Sequence, residues 1–436
     1  MALGGGGFTA QDKILPGAYI NFVSRSTVPT VLGERGVVAM PFELDWGVDN
    51  GIFEVTDLFL NAFKIFGYNY NHAKLKGMRD LFRNAKKLYA YRLNSSGAKA
   101  VNEYATAKYG GVRGNDFRVS IQINADDTTK KDVRLYLETA LVDTQTVNTA
   151  AQLTDNDFVI WKKNATLAVT AAAPLAGGTN GTVTTADYQS FLNAIEGYSF
   201  NTIGVVTDSA EIQELFSVYC KRMREEIGKK MQAVIYNKAA DHEGIINVVN
   251  AVSSVDGAPL ASLVYWVTGA AAACEVNSSL LNKIYDGEFD IALLNTQTQN
   301  QLQNAIKDGC FAFHRVGNDV RVLSDINSLV TITEKKGEVF KDNKTIRIID
   351  QIANDIGIIF STQYLGQIPN NESGRASLWN DIVTHHRELE RVMAIENFEP
   401  EKVIVMQGEK KNSISVNSEI SVAGTMAILY MNVLVE

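Results

Sequence analysis

Basic charge, cysteine and long apolar runs are all scarce in this chain of 436 residues, and each scarcity removes a class of function. Lys and Arg total 41 against 49 Asp and Glu, a net charge of -8. That balance argues against a general nucleic-acid surface, because phosphate neutralisation by Lys and Arg supplies most non-specific affinity. Only three cysteines occur, Cys220, Cys274 and Cys310, widely spaced and without a CxxC pair. They read as reduced core residues. The longest apolar run, residues 261–274, has 14 residues, whereas a membrane-spanning helix needs about 20. A buried core helix is expected there.

Catalytic strings are missing too. No GxxxxGKS/T occurs, which removes ATP or GTP as a direct energy source. The string "KYGGVRGND" at 108–116 is glycine-rich, but a nucleotide fingerprint opens a helix and the next residues, "FRVSIQIN", read as a strand. No GxSxG nucleophile elbow appears. His385 and His386 are adjacent and so do not share a helix face, and "HHRELE" lacks the HExxH zinc pattern. Both are expected at the solvent or at an interface. His72, His242 and His314 have no ligand cluster near them in sequence. Catalytic, cofactor-binding and metal residues are therefore all assigned as none. The opening "MALGGGGFTAQDKILPGAYINF" has neither the basic nor the apolar region of a secretory signal, so synthesis in the cytosol is expected.

What is present is a change of pattern along the chain. Residues 1–18 form a glycine-rich arm, and residues 19–93 carry α/β alternation, with a strand near 36–40, helices at 54–66 and 72–85, and the strand "KKLYAYRLN". Residues 94–183 lose helix formers and gain alternating runs, which reads as an inserted β-sandwich. Alternation returns over 184–308, with buried strands "FNTIGVVT", "MQAVIYN", "GIINVVN" and "FDIALLN" between helices. A mostly parallel sheet covered on both faces is expected. Residues 309–423 read as α+β, with the hairpin "CFAFHRVGNDVRVLSD" turning at Gly317 and Asn318, helices at 345–364 and 375–397, and closing strands. Basic residues gather in "KLKGMRDLFRNAKK", where Arg79 and Arg83 would share a helix face and could meet an acidic neighbour. The mixed string "KRMREEIGKK" at 221–230 invites the same reading.

Both ends read as extended. In residues 424–436, Met426, Ile428, Tyr430 and Leu434 alternate with Ala427, Leu429, Met431, Val433 and Val435, so both faces of a strand would be apolar. Such a strand asks to be covered on both sides, and left as a bare edge it would be an aggregation hazard. Near the other end, "AYINFVS" holds Tyr19, Ile20, Phe22 and Val23 behind the glycines Gly4, Gly5, Gly6 and Gly7, which would act as a hinge.

The strings "DINSLVTITEKKGEVFKDNKTIRIIDQIANDI", "GQIPNNESGRASLWNDI" and "MAILYMNVLVE", with "LPGAYINFVS" and "AKYGGVRGNDFRVSI" earlier, resemble contractile phage tail sheath proteins in the same order over nearly the whole chain. The likeness points to sheaths of defective prophages and phage-tail-like bacteriocins of Gram-positive bacteria. It implies a multi-domain fold, α/β plus β and α+β: a subtilisin-like middle domain, an inserted β-sandwich, an α+β C-terminal domain and extended arms. The nearest match to the subtilisin nucleophile string Gly-Thr-Ser-Met-Ala is Gly424-Thr425-Met426-Ala427, which lacks the serine. The middle-domain name would describe a fold alone. The resemblance further implies a homo-oligomer of stacked hexameric rings around a tail tube protein, with baseplate and tail terminator proteins as further partners. Neither nucleic acid nor direct membrane insertion enters that scheme. It implies that the arms add strands to neighbouring subunits and that the tube contact lies in the C-terminal domain, for which the 345–364 helix, with Arg347 on it and Lys344 just before it, or the 375–397 helix, is the candidate. The alternative is an α/β hydrolase or serine peptidase with an inserted β-sandwich.

Overall fold

The computed structural model describes residues 32–49, 51–253, 257–292 and 297–435. Gly4, Gly5, Gly6, Gly7, Tyr19, Ile20, Phe22 and Val23 lie outside the described residues. The chain first lays down β1 (Val37–Phe42), β2 (Ile52–Val55), α1 (Leu58–Phe66), α2 (Lys76–Phe82) and β3 (Lys87–Arg92). The helix expected from 54 starts later because Asp57 caps it, its Oδ1 accepting from Leu60 N at 2.9 Å. Residues 52–55 pair instead antiparallel with β3.

The segment that follows is all β: β4 (Ala105–Ala107), β5 (Phe117–Ile123), β6 (Lys131–Leu137), β7 (Ala140–Val147), β8 (Val159–Trp161) and β9 (Thr170–Pro174). They form an antiparallel sheet ordered β7-β6-β5-β9 and a β4-β8 pair. Alternate residues Phe117, Val119 and Ile121 face Val133, Leu135 and Leu137 in one core, which also takes in Trp46 from outside the segment. The two chain passes into and out of this unit run side by side: Gly181 N donates to Asn94 O at 3.1 Å and Thr179 N to Ala98 O at 3.1 Å. A Cβ on Gly97 would sit 1.9 Å from Thr179 O, so only glycine permits that approach.

Alternation then resumes with α3 (Thr185–Ile195), β10 (Thr202–Val205), α4 (Ala210–Arg222), β11 (Gln232–Tyr236), β12 (Ile245–Val248), α5 (Leu263–Ala273), α6 (Gln299–Lys307), β13 (Cys310–Phe311), β14 (Phe313–Val316) and β15 (Asp319–Val322). One sheet ordered β13-β12-β11-β10-β1-β3-β2 results, parallel throughout except for β2. Its central strands β1, β10, β11 and β12 are buried on both faces, as parallel sheets require. Val38, Met40, Val234 and Ile246 pack with α2 and α5, while Ala39, Ile203, Ala233 and Ile235 pack with α3 and α4. The expected helix over the longest apolar run is α5, buried in the first of these cores.

One expected strand fails. In "FDIALLN" the structure has an isolated bridge from Ile291 to Val252, with residues 293–296 outside the described set. The last parallel strand is β13, two residues long and therefore invisible to periodicity. The expected hairpin is β14 with β15, turning at Gly317, whose φ is +61°.

The last region holds α7 (Asn343–Ile359), α8 (Glu372–Arg391), β16 (Ile395–Glu396), β17 (Val403–Gln407), β18 (Ile414–Ser418) and β19 (Ser421–Val422). Its sheet is smaller than expected, two separate antiparallel pairs, β17 with β18 and β16 with β19. Beyond β19 the expected final strand has no regular structure within this chain.

Candidate assembly surfaces

The β17–β18 hairpin lies across α8, with Val403, Val405 and Ile414 packed against Leu378, Ile382 and Val383. Trp379 fixes it by donating Nε1–H to Val403 O at 2.8 Å, and Asn370 Nδ2 donates to Lys411 O and Ser413 O, both at 2.8 Å. Gly408 N donates to Ser413 O, so in antiparallel alternation Met406 and Ile404 bond across to Ser415 and Asn417. Val405 and Gln407 then direct their backbone groups outward, the Val403 carbonyl being taken by Trp379, and among the described residues β17 has no second strand neighbour. An open groove of about 490 Å³ runs beside this edge, lined by Arg375, Trp379, Val405 and Met406 among others. Ile404 and Met406, on the hairpin's outer face, are 46% and 48% exposed. Together these make an apolar strand edge with vacant hydrogen-bonding positions.

The terminal run supplies the matching chemistry. Met426, Ile428, Leu429, Tyr430, Met431, Val433, Leu434 and Val435 are between 69% and 101% exposed. Such a concentration of large apolar side chains on a segment without packing marks an interaction element. Its root is anchored, since Ala423 N donates to Ala394 O at 3.0 Å and Val422 pairs with Ile395. Gly424, Thr425 and Ala427 line a second groove of about 310 Å³ with Asp342 and Thr345.

The charged candidates lie elsewhere than expected. Arg347 is 2% exposed and Lys344 4%, so neither offers a surface for a partner. Arg347 Nη2 donates to Asp325 Oδ2 at 2.6 Å and to Ser278 O at 3.1 Å. Asp325 also accepts from Leu280 N and Asn343 Nδ2. Burial alone would raise the Asp325 carboxyl, but the Arg347 charge and these hydrogen bonds hold it below its ordinary range. Arg79 is likewise committed internally: its Nε and Nη2 each reach Glu288 at 2.7 Å, and its Nη1 donates to Tyr70 O and His72 O. Arg83 shares that face as expected, stays half exposed, and lies 4.0 Å from Glu288. The patch at 221–230 splits: Arg224 turns inward to a bidentate pair with Asp350 on α7, at 2.6 and 2.8 Å.

His385 and His386 are corrected as well. They are buried, with His385 Nε2 3.0 Å from Asp355 Oδ2 and His386 Nε2 2.9 Å from Ser418 Oγ. Among the cysteines, Cys220 and Cys274 are buried and Cys310 is partly so, all free.

Comparison with known proteins settles the family. Four family models match in succession: the tail sheath protein Gp18 domain III N-terminal region over residues 35–93, the phage tail sheath β-sandwich domain over 95–180, the central domain over 181–328 and the C-terminal domain over 335–436. The phage-like element PBSX protein XkdK of Bacillus subtilis is 31% identical over 99% of both chains. The chain belongs to the phage tail sheath family. The solved sheath tail protein of Desulfitobacterium hafniense matches it at 36% identity and a TM-score of 0.83, covering 94% of this chain and 98% of that one. The helical sheath of the anti-feeding prophage in its contracted state shares the fold at 10% identity and a TM-score of 0.56, covering 97% and 98%.

For a tail sheath protein, sequence reasoning picked out the terminal run but missed the polar joint on α7. Lys344, Arg347, Asp350, Gln351 and Asp355 recur at near-helical spacing, which ordinarily marks a solvated face. Here that face is buried against Asp325, Arg224 and the segment around Gly33. The one signal available was the pattern itself: two basic and then two acidic residues along a single stripe of a helix that is apolar on its other side.

Proposed function

We propose that this chain is the sheath subunit of a contractile tail, polymerising as stacked hexameric rings around a tail tube and contracting to drive that tube through a target envelope. The exposed apolar run at 426–435 carries the reading. Such a segment is stabilised by leaving its own subunit and pairing with the outward edge of β17 on a neighbour, where backbone groups and apolar side chains wait. Tyr19, Ile20, Phe22 and Val23 are proposed as a second exchanged strand, with Gly4, Gly5, Gly6 and Gly7 as its hinge. Contacts of this head-to-tail kind do not close on themselves and build helical stacks.

The central parallel sheet with helices on both faces is read as the subtilisin-like domain of such sheaths. Arg83 remains a candidate neighbour contact. With Lys344 and Arg347 inside, a tube contact falls to the exposed side of α7 and the turn after it, where Ile358 and Leu365 are 56% and 63% exposed. Baseplate and tail terminator proteins complete the proposed partners, in a particle assembled in the bacterial cytoplasm and released on lysis.

Electron microscopy of the purified chain, alone and with its tube protein, tests the proposal. Striated hollow cylinders are expected from the full chain, and none from a chain lacking 426–436. Discrete particles under every condition would remove the sheath reading, and long cylinders from the truncated chain would remove strand exchange.

A further inference from the structure

A line of polar contacts crosses the C-terminal region from the segment around Gly33 to the hairpin. Gly33 N donates to Asp355 Oδ2 at 3.2 Å, and Gln351 Nε2 donates both to that carboxylate, at 2.9 Å, and to Gly33 O, at 3.2 Å. Asp355 then meets His385 Nε2 at 3.0 Å, His385 Nδ1 lies 3.3 Å from His386 Nδ1, and His386 Nε2 reaches Ser418 Oγ on β18 at 2.9 Å. Both imidazoles are buried, and the His386 ring stands edge-on to Phe398 with centroids 5.3 Å apart.

Proton positions along this line follow from what each group can do. An ionised Asp355 only accepts, which places a proton on His385 Nε2. With both rings neutral, His385 Nδ1 accepts from His386 Nδ1–H, and His386 Nε2 accepts from the Ser418 hydroxyl. One added proton can be housed: His385 donates from both nitrogens, and His386 changes tautomer and donates Nε2–H to Ser418 Oγ. A second cannot, because two N–H groups would then face each other at the Nδ1–Nδ1 contact.

We infer that the His385–His386 pair is an acid-sensitive latch, and that its double protonation releases the β17–β18 hairpin from α8. The charged and polar groups facing the pair are Asp355 and Gln351 from α7, Ser418 from β18, Glu388 from α8 itself, and Arg35 behind Gln351 at 3.5 Å. Burial, and then the charge of His385, push the His386 imidazole down to about 4. The sign follows. A histidine whose folded pKa is depressed contributes stability that is complete above its unfolded pKa of about 6.5 and is lost as pH falls toward the folded value. Opening of the hairpin is therefore expected to gain about tenfold per pH unit in that window, roughly 300-fold in all. The inference concerns the folded chain and stands whether or not it polymerises.

The chain has five histidines, so ring-nitrogen NMR of histidine-labelled full-length protein resolves the pair, and amide exchange of residues 403–418 reads the hairpin. Expected are a His386 ring that stays neutral until pH is near 4, and hairpin protection falling tenfold per unit from about pH 6.5 after correction for intrinsic exchange. The variant His386→Gln keeps a polar contact without a titrating ring and is expected to abolish that slope. A His386 ring titrating near its ordinary value in wild-type protein, hairpin protection constant down to pH 4, or the same slope in the variant would each overturn the inference. The wild-type measurement alone decides if the variant does not fold.

Discussion

Replacing Arg347 with alanine separates two roles for one arginine. On a solvated helix face the change would alter stability by less than about 0.5 kcal/mol. The structure instead pairs Arg347 with Asp325 at 2.6 Å, both side chains 1% exposed. Removing one partner of a buried pair strands the other charge, at a cost of about 3–5 kcal/mol. Asp325 would keep Leu280 N, Ser279 Oγ and Asn343 Nδ2 as donors. Those bonds partly solvate the carboxylate, so the expected loss lies at the lower end, about 3 kcal/mol. The assay is urea unfolding, with hydrogen exchange identifying the transition that includes α7, because a chain of several domains need not unfold in one step. The double variant Asp325→Asn with Arg347→Met, which removes both charges, should recover at least half of the loss. An Arg347→Ala chain within about 0.5 kcal/mol of the parent would refute the buried-pair argument and return Arg347 to the surface.

Two other outcomes follow from the same packing. Deleting 426–436 should leave the melting temperature of the unassembled chain unchanged within error, since those side chains bury almost nothing in it; a clear drop in calorimetry would show that the run packs on its own subunit. Gly111→Ala should cost several kcal/mol by the order of a backbone clash plus a forbidden dihedral, about 2–4 kcal/mol, because φ is +129° there and the new Cβ would stand 2.0 Å from Asp45 O. Denaturant midpoints equal to the parent's would contradict that geometry.

The parallel sheet was legible because strands buried on both faces read as unbroken apolar runs, as in "FNTIGVVT" and "GIINVVN". β13 was read as the start of the hairpin, since two residues carry no period of their own and only the neighbouring β12 draws Cys310 and Phe311 into the parallel sheet. The terminal run was legible from its two apolar faces, yet it forms no strand here, because strand structure needs a partner and none is found among the described residues. Arg347, Arg79 and the histidine pair were misplaced for one shared reason. Their partners Asp325, Glu288, Asp355 and Ser418 are distant or unremarkable in sequence, and local pattern assigns an unpaired charge to water.

The paired passes at Asn94–Gly181 and Ala98–Thr179 have a consequence for evolution and engineering. A unit whose first and last residues are held side by side can be exchanged for any other fold with adjacent ends, without moving the sheet that carries it. The host sets conditions on the exchange, since Arg92 donates to Gly110 O and Phe63 packs on Phe158, and the largest is Trp46: this side chain belongs to the host yet is sealed by Tyr109 and Phe117 of the guest. A replacement that brings no apolar cap for that indole would leave the host with an exposed tryptophan. A chimaera that also changes Trp46 to a polar residue removes that one requirement, leaving the host sheet as a socket whose remaining demands are Arg92 and Phe63.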